Sequence, residues 1–322
     1  MQVCVLGAGS LGSVIGGVLA RAGHDDALVT RNVAHVDAIR RGGLTLVDDR
    51  SRTDVPIAAA TSVDGLQPPD LLVVLVKSFD TRPAMEAAAR LVGDDTLILT
   101  LQNGVGCEEI IAEVVGGDRL IAGRTFVGGR MIEPGVVEYG IAGRTTVLGE
   151  LDGRPTERLR AIADTFGASG LEVEISTDIV AMMWDKLFVN IATGAWSALT
   201  GLPYGELSVH PDVERMAIAT VEEGMAVAQA LGIEVATRDP RIPWRRAWEG
   251  LPYGFKASML QSVEKGSRTE VDVMHGAVVA GGRRAGVPTP VNDALVAAVH
   301  GLERRLELET EQFENGVLGT GL

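Results

Sequence analysis

Gln2-Val3-Cys4-Val5-Leu6 runs directly into Gly7-Ala8-Gly9-Ser10-Leu11-Gly12 at the start of the chain. The first five residues are a short apolar run stopped by glycine, read as a buried strand. A small-residue stretch follows to about Ala22 and reads as a helix. Gly-x-Gly-x-x-Gly is a weak signal alone, but here it stands between a strand and a helix at the opening of the chain. That context makes it a dinucleotide turn. The glycines allow a tight turn and close backbone approach to a pyrophosphate resting on the helix amino end. Gly7, Gly9, Ser10, Leu11 and Gly12 are therefore candidate cofactor contacts. The same pattern also suits a tight strand–helix turn with no ligand.

The next strand reads Ala27-Leu28-Val29-Thr30, and Arg31 closes it. A turn built for NAD has an acid at this place, to bond the ribose 2′-hydroxyl. Asp25 and Asp26 precede the strand and so fall at its wrong end. An Arg in this position suits a 2′-phosphate, which favours NADP(H) over NAD(H); a solvated surface Arg is the bland alternative. Leu71-Leu72-Val73-Val74-Leu75-Val76 is continuously apolar, as a central parallel strand is, and Lys77 stands just past it. Leu97-Ile98-Leu99-Thr100 repeats the arrangement and leads into Leu101-Gln102-Asn103-Gly104-Val105-Gly106. Lys77 and Asn103 would thus reach one crevice from two strand ends, unless they are ordinary loop residues.

From Leu120 to Glu150 the pattern becomes short strands with Pro134-Gly135 and Ala142-Gly143 turns. We read an antiparallel edge or meander extending the parallel sheet. A helix near Thr156–Gly167 and a strand near Leu171–Ile175 complete a first domain, 1–177. The boundary falls at Ser176-Thr177-Asp178, a cluster that also suits a helix cap. The second domain, 178–322, shows no convincing strand. Val213–Leu231, Phe255–Lys265, Glu270–Ala285 and Val291–Glu309 read as helices, with a loose Gly-rich tail from Asn315. The fold class is α/β: a Rossmann-like doubly wound domain, then an all-helical one, with a cleft expected between them.

Met183-Trp184-Asp185-Lys186-Leu187-Phe188-Val189-Asn190 opens the second domain. The chain has four lysines, Lys77, Lys186, Lys256 and Lys265, among 29 Lys and Arg. Lysine can give up a proton and arginine cannot. On a helix, Asn190 lies one turn beyond Lys186 on the same face. An ammonium and an amide would then project together from an apolar helix. These eight residues equally describe a helix whose Lys snorkels to solvent. A second dense stretch runs from Ser258-Met259-Leu260-Gln261 to Gly266-Ser267-Arg268-Thr269-Glu270-Val271-Asp272. Its Gly-Ser break could turn Glu270 inward, or Thr269-Glu270 could be a solvated helix start.

Composition narrows the class. The chain has 322 residues, a formal net charge of −14 and two cysteines, Cys4 and Cys107. The charge argues against nucleic acid and against an anionic membrane surface. No apolar run approaches the ~20 residues that span a bilayer. With no signal-peptide pattern and no disulfide framework, a cytoplasmic location is expected. The five histidines have no metal spacing, so no metal is expected.

Taken together, Gly7-x-Gly9-x-x-Gly12, Val76-Lys77, Leu101-Gln102-Asn103-Gly104-x-Gly106, Trp184-x-Lys186-x-x-x-Asn190, Ser258-Met259-x-Gln261 and Thr269-Glu270-x-Asp272 resemble the ketopantoate reductase (2-dehydropantoate 2-reductase) family. The likeness covers nearly the whole chain in order. It implies NADPH-dependent reduction of a 2-oxo acid to a 2-hydroxy acid, ketopantoate to pantoate, in a homodimer. Lys186 matches the family's proton-donating lysine and Glu270 its active-site glutamate. Asn103, Asn190 and Ser258 match substrate contacts, while Lys77 and Asn103 also line the cofactor. Gly194 and Tyr204 depart from the pattern, standing where relatives have asparagines that help hold the hydroxyacid. A D-2-hydroxyacid dehydrogenase for a bulkier, less polar oxo acid is the alternative within enzymes. A non-catalytic NADPH sensor is the alternative outside them.

Overall fold

The computed structural model describes residues 1–314, and the expected loose tail from Asn315 lies outside them. The chain divides into two compact units, Met1–Ile179 and Val180–Leu322.

In the first unit the elements run β1 (Gln2–Leu6), α1 (Ser10–Arg21), β2 (Asp25–Val29), α2 (Val33–Gly42), β3 (Leu44–Val47), β4 (Arg52–Val55), β5 (Ala58–Ala60), β6 (Leu71–Val74), α3 (Thr81–Ala88), β7 (Leu97–Thr100) and α4 (Cys107–Val115). Then come β8 (Leu120–Thr125), β9 (Gly128–Glu133), β10 (Val136–Gly140), β11 (Thr145–Gly149), α5 (Glu157–Ala168) and β12 (Glu172–Ile175). Eight strands form one sheet in the order β12-β11-β8-β7-β6-β1-β2-β5. Strands β5, β2, β1, β6, β7 and β8 are parallel, and the central ones, β1, β6, β7 and β8, are buried on both faces along nearly their whole length, as helix-covered parallel strands must be. β1 lies between β2 and β6, so the strand order reverses there. Ligands bind at such a switch point, beyond the carboxyl ends of the strands.

Two expectations need correction. β2 begins at Asp25, two residues earlier than read, although both aspartates remain at the end away from the switch point. Between Leu120 and Glu150 the chain does more than extend the sheet. β8 stays parallel to β7 and β11 adds antiparallel to β8, but β9 and β10 leave for a second sheet, β4-β3-β10-β9. The reason is α1, whose outer face is apolar and needs a cover. Leu44 and Leu46 of β3 pack on Gly17, and β9 packs on Val14. The parallel β3–β10 pairing joins segments some ninety residues apart, which local patterning cannot show.

The second unit holds α6 (Ile179–Thr200), α7 (Tyr204–Leu207), α8 (Pro211–Ala230), α9 (Arg241–Trp248), α10 (Ser258–Glu264), α11 (His275–Ala285) and α12 (Pro290–Glu314), with α6 beginning at the last residue of the first unit. α6 is apolar nearly all round and is correspondingly buried: Trp184, Leu187, Phe188, Ile191, Ala192 and Ala195 are each at most 2% exposed. α8 meets it at Gly224, where a Cβ would come within 3.1 Å of both Ile191 and Phe188. The helix read from Glu270 breaks into a 3₁₀ turn at Val271–Val273 before α11. Likewise α10 starts at Ser258 rather than Phe255. In both places the backbone leaves the helical region, at Met274 (ψ −92°) and at Ala257 (ψ 147°). Among the described residues no helix is long and apolar enough to cross a membrane.

Candidate active site

The dinucleotide turn is built tightly. Gly7 has φ +102°, and a Cβ on it would lie 2.3 Å from the Val76 amide nitrogen at the end of β6. Only glycine satisfies both constraints. Gly12 faces back onto the turn, where a Cβ would lie 2.4 Å from the Gly7 carbonyl oxygen. Gly9 is exposed and has open space beside it, as a backbone that must admit a ligand requires. Ser10 and Leu11 open α1. The Ser10 hydroxyl oxygen already accepts a hydrogen bond from the Met131 amide of β9 at 3.1 Å, leaving its proton for another partner. Among the described residues no side chain caps α1, and the amino end of a helix suits an anion.

A buried polar chain steadies this turn. The Gly135 amide donates to His35 Nδ1 at 2.8 Å, which leaves the proton on Nε2. Nε2 then donates to the Ser13 hydroxyl at 2.9 Å, and Ser13 reaches the Ala8 carbonyl at 3.4 Å. Burial holds the His35 imidazole below its ordinary pKa, which keeps it neutral in this role.

Arg31, exposed beyond β2, pairs with Asp80 at 2.5 Å. Asp80 closes the 3₁₀ turn after Lys77, so the pair joins the ends of β2 and β6. Asp80 was not read from the sequence as a site residue. Lys77 is exposed and Asn103 half-buried, each just past its parallel strand. Gln102 ties those two strand ends together: its Nε2 donates to the Val76 carbonyl at 2.9 Å and to Thr81 Oγ1 at 2.8 Å. Gly7, Arg31, Lys77 and Asn103 therefore stand at one edge of one sheet.

In the second unit, Lys186 and Asn190 are half-buried one turn apart on the continuous α6. The residue between Trp184 and Lys186 has its own task. Asp185 accepts from the Ala236 amide at 2.8 Å and the Thr237 amide at 2.9 Å, pinning that segment to α6 beside the lysine. Gly194, two turns beyond Lys186, is buried, and a Cβ there would lie 3.6 Å from Met259 Cε. Ser258 is the exposed first residue of α10, next in sequence to Met259. Tyr204 stacks on Phe255 with ring centroids 5.8 Å apart, and its hydroxyl meets Thr193 at 3.4 Å. Glu270 is half-buried ahead of the 3₁₀ turn. Its neighbours are tied to α12: the Thr269 amide donates to Glu303 at 2.6 Å, and Asp272 meets His300 at 2.9 Å.

The cysteines take no part in this chemistry. Both are buried, and no disulfide joins them. Burial and the nearby Asp26 push the Cys4 thiol up to about 12, so it is no nucleophile at neutral pH. Among the described residues no group of three His, Cys, Asp or Glu is placed to hold a metal.

Two family models match the chain. One, described as ketopantoate reductase PanE/ApbA, matches residues 3–153, and its C-terminal companion matches 178–303. The chain belongs to the ketopantoate reductase family. A 2-dehydropantoate 2-reductase of Halobacterium salinarum is 35% identical over 94% of this chain and 99% of its own length. One from Pyrococcus horikoshii is 33% identical over 94% and 98%. Among solved structures, the family's ketopantoate reductase from Ralstonia eutropha superposes with a TM-score of 0.87 at 33% identity, over 95% of this chain and all of that one. A D-mandelate dehydrogenase bound to NADH and anilino(oxo)acetate also gives 0.87, at 25% identity over 95% and 99%. This reductase is accordingly a nicotinamide-dependent oxidoreductase with a Rossmann-like first unit and a helical second one.

Proposed function

We propose that the enzyme reduces a 2-oxo acid to the 2-hydroxy acid with NADPH, and that ketopantoate is its substrate and pantoate its product. One observation carries the reading: an apolar, buried helix presents Lys186 and Asn190 together, half-buried, one turn apart. A lysine that only snorkelled to solvent would not need an amide on the same face. The bound dihydronicotinamide supplies the hydride. Lys186 supplies the proton: its ammonium stabilises charge growing on the carbonyl oxygen and then gives up a proton to it. Asn103 and Ser258 bond the substrate carboxylate or carbonyl, Asn190 bonds the substrate beside Lys186, and Glu270 orients a substrate hydroxyl or Lys186. Gly7, Gly9, Ser10, Leu11, Gly12, Lys77 and Asn103 hold the cofactor, and Arg31 meets its 2′-phosphate. A homodimer in the cytoplasm is the working form we infer from the family likeness, and sedimentation tests the stoichiometry.

A second reading has a specific observation behind it. The Tyr204–Phe255 stack and Gly194 offer apolar surface and room where an amide would hold a hydroxyl. The likeness to D-mandelate dehydrogenase, solved with NADH, points the same way. A D-2-hydroxyacid dehydrogenase for an aryl or branched oxo acid would look like this. Loss of reduced-nicotinamide absorbance decides, measured with NADPH and NADH against ketopantoate, 2-oxoisovalerate and phenylglyoxylate. Tight NADPH binding with no turnover on any acid would instead make the protein a sensor.

A further inference from the structure

Asn103 is flanked by two buried braces. The first is Gln102, 3% exposed. Besides its two bonds to Val76 and Thr81, its Oε1 accepts from Thr100 Oγ1 at 3.1 Å. All its side-chain atoms are thus spent on holding the strand that ends at Asn103 against the strand that ends at Lys77. The second brace is Arg124 on β8, 1% exposed. It donates to the Gly104 carbonyl at 2.6 Å, to the Gly123 carbonyl at 2.6 Å and to Glu108 Oε1 at 2.9 Å. Glu108 is 3% exposed, and its other carboxylate oxygen is buried without a hydrogen bond.

As a device for stability this pair is poor. Two charges leave water, and one carboxylate oxygen is left unpaired. Apolar residues of the same volume would hold β8 to α4 as well or better. What an apolar pair cannot supply is a donor aimed at the carbonyl directly after Asn103. Gly104 sits at φ +85° and Gly106 at φ +109°, so the loop depends on such anchors to keep one conformation. A buried carbonyl needs a donor, and the guanidinium provides it from behind the loop.

We propose that Gln102 and the Arg124–Glu108 pair are positioning residues, which fix the Asn103 side chain relative to Lys77 and act on turnover through Asn103. This rests on the reading of Asn103 as a contact to cofactor and substrate. Misplacing a contact by about an ångström can cost roughly a hundredfold in rate.

The test is a double-mutant cycle on the full-length protein. Gln102→Met and Arg124→Lys are made alone and in an Asn103→Ala background, with kcat and KM measured for each. Gln102→Met should lower kcat roughly ten- to a hundredfold. In the Asn103→Ala background the same change should have almost no further effect, because residues that act as one unit are not additive. Arg124→Lys keeps the charge and shortens the fork, so it should lose less than Arg124→Met. A readout independent of turnover is amide hydrogen exchange of residues 103–106 in the cofactor-free protein, which should quicken about tenfold or more in both single variants. Losses that multiply fully in the double variants, or unchanged exchange at 103–106, would overturn the proposal even if Asn103→Ala is impaired. An Asn103→Ala enzyme with normal kcat and KM would instead overturn the reading of Asn103. If Arg124→Met fails to fold, Gln102→Met and Arg124→Lys still decide.

Discussion

Arg31 and Asp80 form an ion pair at 2.5 Å across the ends of β2 and β6, with the arginine side chain 80% exposed. Exposed pairs of this kind contribute little to stability, about 0–1 kcal/mol. The pair is better understood as a cation held ready beside the dinucleotide turn, with part of its charge already answered. Removing the cation and removing its partner should therefore act in opposite directions on cofactor choice. Arg31→Ala should weaken NADPH by roughly tenfold or more, the scale of one charge-assisted bond, and NADH far less. Asp80→Asn should tighten NADPH relative to NADH. Dissociation constants for both cofactors, measured by fluorescence, check this. Equal losses for the two cofactors in Arg31→Ala, or a wild-type preference for NADH, would show that Arg31 does not meet a 2′-phosphate.

Lys186→Ala should lower kcat by roughly 10²–10⁴, the scale of a positioned general acid. NADPH affinity should barely move, because the dinucleotide turn lies in the other unit. Steady-state kinetics beside NADPH titration separates the two effects. Near-normal turnover by a folded Lys186→Ala protein would remove the lysine from the mechanism.

What the sequence made legible follows from the range of each interaction. The placement of Gly7 to Gly12, Lys77 and Asn103 at one sheet edge was readable because strand, turn and helix signals are local, and strand ends in a parallel sheet share an edge. The spacing of Lys186 and Asn190, one turn apart on one helix, was readable because helical geometry is fixed. The β9–β10 excursion was not, since the partner of β10, β3, lies about ninety residues earlier and their pairing covers the outer face of α1. Asp80 and Asp185 were missed because a carboxylate's partner is chosen by tertiary structure. Arg124 did leave a trace: a lone charge inside the apolar run Leu120-Ile121-Ala122-Gly123 needs a buried counterpart. The identity of that counterpart, Glu108, was not readable.

Two buried groups should tilt stability against pH in opposite senses. Burial, and then the charge of Asp25, push the Asp26 carboxyl up to about 7, and neither of its oxygens has a hydrogen bond. Its folded pKa exceeds the ordinary value, so its contribution is fullest below about pH 4 and is lost as pH rises through about 7. Burial pushes His275 down to about 4 against its bond to Asn292. Its contribution is present above about 6.5 and is lost as pH falls through about 4. Each gives a slope of up to about 1.4 kcal/mol per pH unit. Asp26→Asn should therefore gain on wild type above about pH 7 and match it near pH 4, while His275→Gln should flatten the acid side. Urea unfolding across this range measures both. An Asp26→Asn curve that runs parallel to wild type at every pH would show that the carboxyl is not the source.

The last prediction concerns which oxo acid fits. Gly194 is buried, and a Cβ there would meet the Met259 methyl at 3.6 Å, an ordinary contact. Position 194 therefore accepts a Cβ without a clash and carries no side-chain donor. Next to it, Thr193 meets the Tyr204 hydroxyl, and the Tyr204 ring lies against Phe255. Around Gly194 the second unit thus presents an aromatic pair and two hydroxyls. A site that bonds a substrate hydroxyl rejects acids lacking it by a large factor, whereas an apolar wall separates neighbours by only ~1–3 kcal/mol. We expect kcat/KM for 2-oxoisovalerate, a longer branched 2-oxo acid or phenylglyoxylate within about a hundredfold of the best substrate. Gly194→Asn should widen that spread in favour of ketopantoate, because it places an amide one helical turn beyond Asn190. The measurement is kcat/KM for all four acids in wild type and variant. A wild type that favours ketopantoate by roughly a thousandfold over every other acid would end the broad-pocket account. An unchanged profile in Gly194→Asn would show that position 194 does not face the substrate.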